Sequence, residues 1–196
     1  MSHHQHPKPF INRLAQTITL LAAILIVLAA IGSMILVLIG APTGFALVGG
    51  IALLLIFPLV MQTAIAPAVT VDDTGLTLHP LYWKSQHIGW DDIKAVKVFP
   101  LLPSKDEEIT RKYAVGKQRY RAAEGIMLVI PSLPMQYRIA GFFAGERAQP
   151  VIALTNRAHT DYDTLLKKVL EMTDTAIHDD ALLPSERIPK EKTGKK

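Results

Sequence analysis

The sequence predicts an α+β protein in which a transmembrane helical hairpin precedes an antiparallel seven-strand sandwich or barrel, closed by a C-terminal amphipathic helix. Three observations predict it. No Asp, Glu, Lys, Arg or His occurs from Leu14 to Val71. From Ala68 onward, short alternating segments are separated by turn residues. Finally, Tyr162, Leu165, Leu166, Val169 and Leu170 fall at i, i+3, i+4, i+7 and i+8, the apolar stripe of a helix.

Within the uncharged run, 17–39 reads as a first span, roughly 34 Å long at ~1.5 Å per residue. Gly40 to Gly44 (GAPTG) breaks it, and a second span covers 45–66, ended by Pro67. Pro58 should kink this second span by removing a backbone donor. The small residues Ala22, Ala29, Ala30, Ser33, Ala46 and Gly50 can form a close seam, either inside the hairpin or between copies. A cleaved signal competes as a reading of the first run, because Lys8 and Arg13 precede it. The run exceeds the 7–15 residues of a signal core, however, and a second span follows at once, so a retained anchor is expected. Neither span holds an ionisable group, which argues against an ion or proton path.

Lys8 and Arg13 flank the first span and the turn is uncharged, so the positive-inside rule places both termini in the cytoplasm. The chain thus divides into an N-terminal tail (1–13), the hairpin (14–67), a cytoplasmic module (68–173) and a polar tail (174–196) expected to be disordered. The formal net charge of +4 is spread thinly. Residues 72–173 hold 14 basic and 12 acidic groups, so only local clustering of charge matters. Cysteine is absent, which excludes disulfides and thiolate-ligated metals.

The module opens with AVTV, the turn Asp72-Asp73-Thr74-Gly75 and LTLHP. Gly75 stands where such a turn calls for positive φ. SQHIGW, KAVKVF, GIMLVI, QYRIAGFF and PVIALTN supply five further strands. Thr160 with Asp163 suggests a capping box at the start of the closing helix.

The stretch VTVDDTGLTLHPLYWKSQHIGWDDIKAVKV, with Ile88, Trp90, Asp91, Asp92 and Ile93 in its second turn, resembles the opening of bacterial pleckstrin-homology-like (PH-like) domains. The resemblance covers about 65–172. It implies a PH-like sandwich or barrel behind a two-span anchor in a bacterial inner membrane, and it says almost nothing about function. The charged insertion at 104–124 and the GFFAG segment depart from the family pattern, so no ligand site carries over.

Candidate contacts come from the residues themselves. Arg111, Lys112, Lys117, Arg119 and Arg121 sit in one stretch with Tyr113 and Tyr120. Close to an anionic leaflet, such cations suit lipid headgroups or a protein partner better than nucleic acid. Asp106, Glu107, Glu108 and Glu124 flank them, which also fits a solvated loop. Phe142 and Phe143 either fill the core at a strand end or form a contact with the bilayer or a partner. Tyr82 and Trp83 either pack inward or lie at headgroup depth.

His159, Asp161 and Asp163 resemble a metal cluster but fit helix capping better. His3, His4 and His6 lack a fixed geometry in a mobile tail. No nucleophile, phosphate-loop or zinc pattern occurs, so no catalytic residue, cofactor or metal is assigned. The expected role is a non-catalytic binding or scaffolding module, contacting membrane lipids through the hairpin and a protein partner or a second copy elsewhere. The alternative is an accessory subunit or assembly factor of a larger membrane complex. A membrane-bound enzyme using His79, His87, Asp91 and His159 ranks below both. A reporter that works only in the cytoplasm, fused after Lys196, is expected to be active; activity there of an exterior-only reporter would reverse the orientation.

Overall fold

The computed structural model of the protein describes residues 1–102, 109–110, 112–114, 122–173 and 177–178. Helix α1 (Pro9–Leu38) is followed by α2 (Gly44–Leu54) and α3 (Ile56–Ala64). By length and composition, Pro9–Leu38 and Gly44–Ala64 can each cross a membrane. They pack on each other as a hairpin and leave most of their large apolar side chains exposed, as a surface bathed in hydrocarbon requires.

The hairpin turn is set by Gly40, whose φ of 101° lies in the left-handed region. Its N–H donates to Val37 O at 3.1 Å and the N–H of Ala41 donates to Leu36 O at 3.0 Å. Those two bonds close the end of α1 in a Schellman motif. The second span is interrupted at Leu55, three residues before Pro58. Proline has no N–H for the Leu54 carbonyl and crowds it, so the expected kink becomes a break between α2 and α3. The seam is narrower than the small residues suggested. Gly49, Ala23 and Ala30 are buried, whereas Gly50 and Ala29 are exposed. A Cβ on Gly49 would run into Ser33 Oγ, so this glycine admits the first helix.

Two four-stranded sheets follow. Sheet 1 has the order β1 (Ser2–His4), β2 (Ala68–Val71), β3 (Gly75–His79), β4 (Gln86–Gly89), all antiparallel. A single 3-10 turn, Trp90–Asp92, leads into sheet 2. Its order is β7 (Val151–Thr155), β6 (Gly125–Val129), β5 (Ala95–Val98), β8 (Ile177–His178), antiparallel except that β8 joins β5 in parallel. Among the described residues no strand pairing links the two sheets into a closed barrel.

One core lies between the sheets. Val69, Val71, Leu76, Leu78 and Ile88 from sheet 1 meet Val96, Ile126, Leu128, Ile152 and Leu154 from sheet 2, with Trp90 in the same cluster. Helix α5 (Tyr162–Met172) closes it with Tyr162, Leu165, Leu166 and Val169, the expected stripe. A second cluster covers the other face of sheet 2. There Ala95, Met127, Val129, Val151 and Ala153 meet Ala140 of α4 (Met135–Phe143), Ala144 at its C-terminal cap, and Met61 and Ile65 at the foot of the hairpin.

Six of the seven expected strands form. The seventh, QYRIAGFF, is instead most of α4. The N-terminal segment, expected to be a free tail, supplies β1, and Ile177–His178 of the expected tail supplies β8. Gly75 is not in the left-handed region; a Cβ there would strike the Ile88 carbonyl, so the glycine serves strand approach. The turn is held by Asp72, whose Oδ1 accepts from the N–H groups of Thr74 (2.8 Å) and Gly75 (2.9 Å) and from the Thr74 hydroxyl. These bonds, the Thr74 hydroxyl foremost, hold the Asp72 carboxyl below its ordinary pKa.

The expected capping box at Thr160 does not form. The Thr160 N–H donates to Gln5 O, and His4 Nδ1 bonds its carbonyl, so Thr160 is committed to the N-terminal segment. Helix α5 begins after Asp161, which is left-handed (φ 51°).

Leu128 sits fully buried between the sheets, whereas Leu28 faces outward from α1. Leu128→Ala is expected to cost about 2–5 kcal/mol and Leu28→Ala well under that. Thermal unfolding of the full chain in detergent checks the contrast; equal losses would mean the core is not where the fold puts it.

Candidate functional site

Helix α4 carries two apolar stripes. Tyr137, Ala140, Gly141 and Ala144, spaced i, i+3, i+4 and i+7, turn toward sheet 2 and are buried. Met135, Ile139, Phe142 and Phe143, spaced i, i+4, i+7 and i+8, turn away from it. Gly141 is small because the 146–149 loop crosses there: a Cβ would strike the Gln149 carbonyl. The helix ends as α1 does. Gly145 is left-handed (φ 82°), its N–H donates to Phe142 O at 3.2 Å, and the Glu146 N–H donates to Gly141 O at 2.8 Å. Lys97 of β5 pairs with Glu146 at 2.7 Å, fixing the loop beyond the helix to the sheet.

Tyr137 is completely buried and its hydroxyl finds no partner among the described residues. Burial pushes its pKa up to about 12, so it is a neutral packing group.

The outward stripe lines a groove of about 500 Å³ with Leu54 and Phe57 of the second span and Ala148. Met135 is 75% and Phe142 68% exposed. Arg138, also exposed, is the one charged group among the described residues lining the groove. Ala148 stands at its lip with φ 61°, and Arg147 before it has φ 50°. Two consecutive left-handed residues other than glycine are strained, and the surrounding structure holds them there.

A second, polar hollow of about 210 Å³ opens at the foot of α1, lined in part by His3, His6, Arg13, Gln16 and His79. Beside it, the Thr70 hydroxyl lies 2.9 Å from both His3 Nδ1 and His79 Nε2. Tyr82 Oη bonds Thr17 Oγ1, so this aromatic loop rests against the start of the first span. Tyr82 and Trp83 are both partly exposed.

The other sequence candidates scatter. Of the basic stretch, Lys112 is described and exposed; Arg111, Lys117, Arg119 and Arg121 lie outside the described residues. Phe142 and Phe143 are on the groove rather than in the core, because the segment is a helix and its second stripe faces outward. Of His79, His87, Asp91 and His159, only His79 lines either hollow. His87 bonds Thr77 on the open face of sheet 1, Asp91 is exposed in the 3-10 turn, and His159 is interior. No group of three or more metal-competent side chains occurs among the described residues. Sequence reasoning missed Leu54, Phe57, Met135, Arg138 and Ile139. The spacing of Met135, Ile139, Phe142 and Phe143, read as helical, would have found the stripe.

Comparison with family models, with curated proteins and with solved structures gives no match.

His159 joins the hairpin to the module. Its Nε2–H donates to Pro67 O at 2.9 Å, and Nδ1 lies 3.2 Å from the Thr155 N–H and 3.3 Å from the Thr155 carbonyl oxygen. Burial outweighs the opposing hydrogen bonds to Pro67 and Thr155 and, with repulsion from His4 and His6, holds its pKa below the ordinary imidazole value. The unfolded chain therefore takes up this proton first as pH falls. The stability contributed by neutral His159 is complete above about pH 6.5 and is lost as pH drops toward the folded value. The apparent Tm in detergent is expected to fall as pH drops below about 6.5, and His159→Gln to flatten that slope. An unchanged slope would exclude His159 as its source.

Proposed function

We propose that the protein is a membrane-anchored, PH-like binding or scaffolding module, held without catalytic activity at the cytoplasmic face of a bacterial inner membrane. The observation that carries this reading is the union of anchor and module in one core. Ala64 is fully buried in the cluster between the sheets, and Met61 and Ile65 pack on the cluster beneath α4. The Ala153 N–H of β7 donates to Ile65 O at 2.7 Å. An enzyme domain tethered at a membrane needs no such continuity. A module whose task is to hold a surface at a fixed height and orientation does.

Support for the PH-like part is the pair of sheets around a shared core with a C-terminal amphipathic helix across it. The departures are α4 in place of a strand and the added edge strands β1 and β8. Orientation rests on Lys8 and Arg13 at the foot of α1. The second reading, an accessory subunit of a larger membrane complex, is favoured by the exposed apolar stripe of α4, since large exposed apolar patches mark interaction surfaces.

Purification of the full chain in mild detergent, with mass spectrometry of co-purifying protein and lipid, separates the two. The module reading expects this chain alone, as a monomer or homo-oligomer, with retained phospholipid. A stoichiometric second polypeptide would establish the accessory-subunit reading in its place.

A further inference from the structure

We infer that the groove between α4 and the second span is a phospholipid site. An acyl chain lies along Leu54, Phe57, Ile139 and Phe142, and the phosphate of an anionic lipid meets Arg138. This rests on the reading of the hairpin as membrane-spanning and adds a specific ligand to it.

Position comes first. One wall of the groove is the outer surface of a span, and the other is a helix of the module. Leu54 and Phe57 lie roughly 10–15 Å along the helix from Ala64, where the span enters the module. The interfacial layer on each side of a bilayer is about 5–7 Å thick. The upper part of the groove therefore stands at acyl-chain depth, and α4 reaches up beside the span from the cytoplasmic side.

Chemistry follows the position. In water, the rings of Phe142 and Phe143 and the side chain of Met135 would form an uncovered apolar surface beside Leu54 and Phe57, which folding would be expected to hide. Against hydrocarbon the same surface carries no such penalty. A polar metabolite finds almost nothing to bond, because Arg138 is the one charged group described in the lining. A single guanidinium at the edge of an apolar slot suits a phosphodiester, with its alkyl stem on the slot and its head at the interface.

The sequence has no cysteine, so a single introduced cysteine labels uniquely. The full chain is placed in nanodiscs of phosphatidylcholine and phosphatidylglycerol, with nitroxides at Leu28→Cys, Phe142→Cys or Lys167→Cys. Collisions with oxygen report lipid and collisions with a nickel chelate report water. Positions 28 and 142 are expected to favour oxygen, and 167, on the exposed face of α5, to favour nickel. Lipid at 28 with water at 142 overturns the groove while leaving the anchor intact. Water at both overturns the anchor reading and the groove with it. Exclusion of both reagents at 142, with dipolar broadening between labels, assigns the groove to a second copy and overturns the lipid.

A phosphatidylglycerol analogue with a photoreactive acyl chain then tests the ligand directly. Crosslinks are expected within 135–148, reduced about fivefold by Arg138→Gln, as for one cation near an anionic leaflet. Crosslinking of the phosphatidylcholine counterpart, whose phosphodiester is neutralised by its own choline cation, is expected to fall by less. Absence of crosslinks in 135–148 overturns the site, and an Arg138→Gln variant that crosslinks phosphatidylglycerol fully removes the headgroup contact.

Discussion

The rest of the structure depends on how the second apolar helix ends. It does not run out into a linker. Ile65 O accepts the N–H of Ala153, Pro67 O accepts Nε2–H of His159, and Ala64 between span and sheet is wholly buried. Each of those carbonyls belongs to the last turn of a helix or just beyond it, where no intrahelical donor remains. A strand and a buried imidazole supply the donors. Separating the hairpin from the module would leave these groups unpaired in an apolar setting, which costs more than a surface contact of the same size. The preceding helix is tied down too, because β1 lies just before α1 and pairs with β2, while Gln5 O takes the N–H of Thr160. Both feet of the hairpin are thus stitched into the same sandwich.

That junction explains the unusual burial of sheet 2. A sheet with one solvated face alternates apolar and polar residues, whereas one covered on both faces does not. GIMLV is buried at every position, with Ile126 and Leu128 facing the inter-sheet core and Met127 and Val129 facing α4 and the hairpin foot. The covering layer on this second face comes from α4 and from Met61 and Ile65, residues of the anchor itself. A chain cut just before β2 would strip away part of that layer along with β1. Anchor and module are separable on paper but share their hydrophobic burial.

Much of this was legible locally. The uncharged run, Pro58, the stripe of α5 and six strands follow from period, length and breaker residues, which act over a few positions. What escaped depends on distant partners. QYRIAGFF is rich in residues with strand preference, and preference yields to context when a ready-made face awaits. Its 3.6-residue spacing and the helix-ending Gly145 were present but short. His4 looks like part of a mobile tail until Thr160 and β2 are seen beside it. Thr160 has the composition of a cap, yet its backbone is engaged by Gln5 and His4 instead. Gly75 reads locally as a turn residue, but the reason for it lies across the sheet at Ile88. The outward stripe of α4 was hidden for a further reason: its other wall is Leu54 and Phe57, distant in sequence.

The two hollows at the foot of the hairpin differ in character, and the difference constrains how the module meets a bilayer. On the sheet 1 side, α1 presents Asn12, Arg13 and Gln16 to His3, His6 and His79, a set of groups that needs water or polar partners. On the sheet 2 side, α3 and α4 present almost wholly apolar side chains. The two stand at different heights along the hairpin: the polar hollow is lined by Thr63 and Pro67, where the span enters the module, and the apolar one by Leu54 and Phe57 farther up, so on the proposed reading one pose meets both environments. In that pose the α4 edge lies against the leaflet and the histidine edge at the hydrated interface. On the same proposed reading Tyr82, bonded to Thr17 one turn beyond Arg13, falls at the boundary, where an aromatic ring with one polar end is most at ease. Because the hairpin is fused to the core, a tilt of the spans and a tilt of the module are one motion.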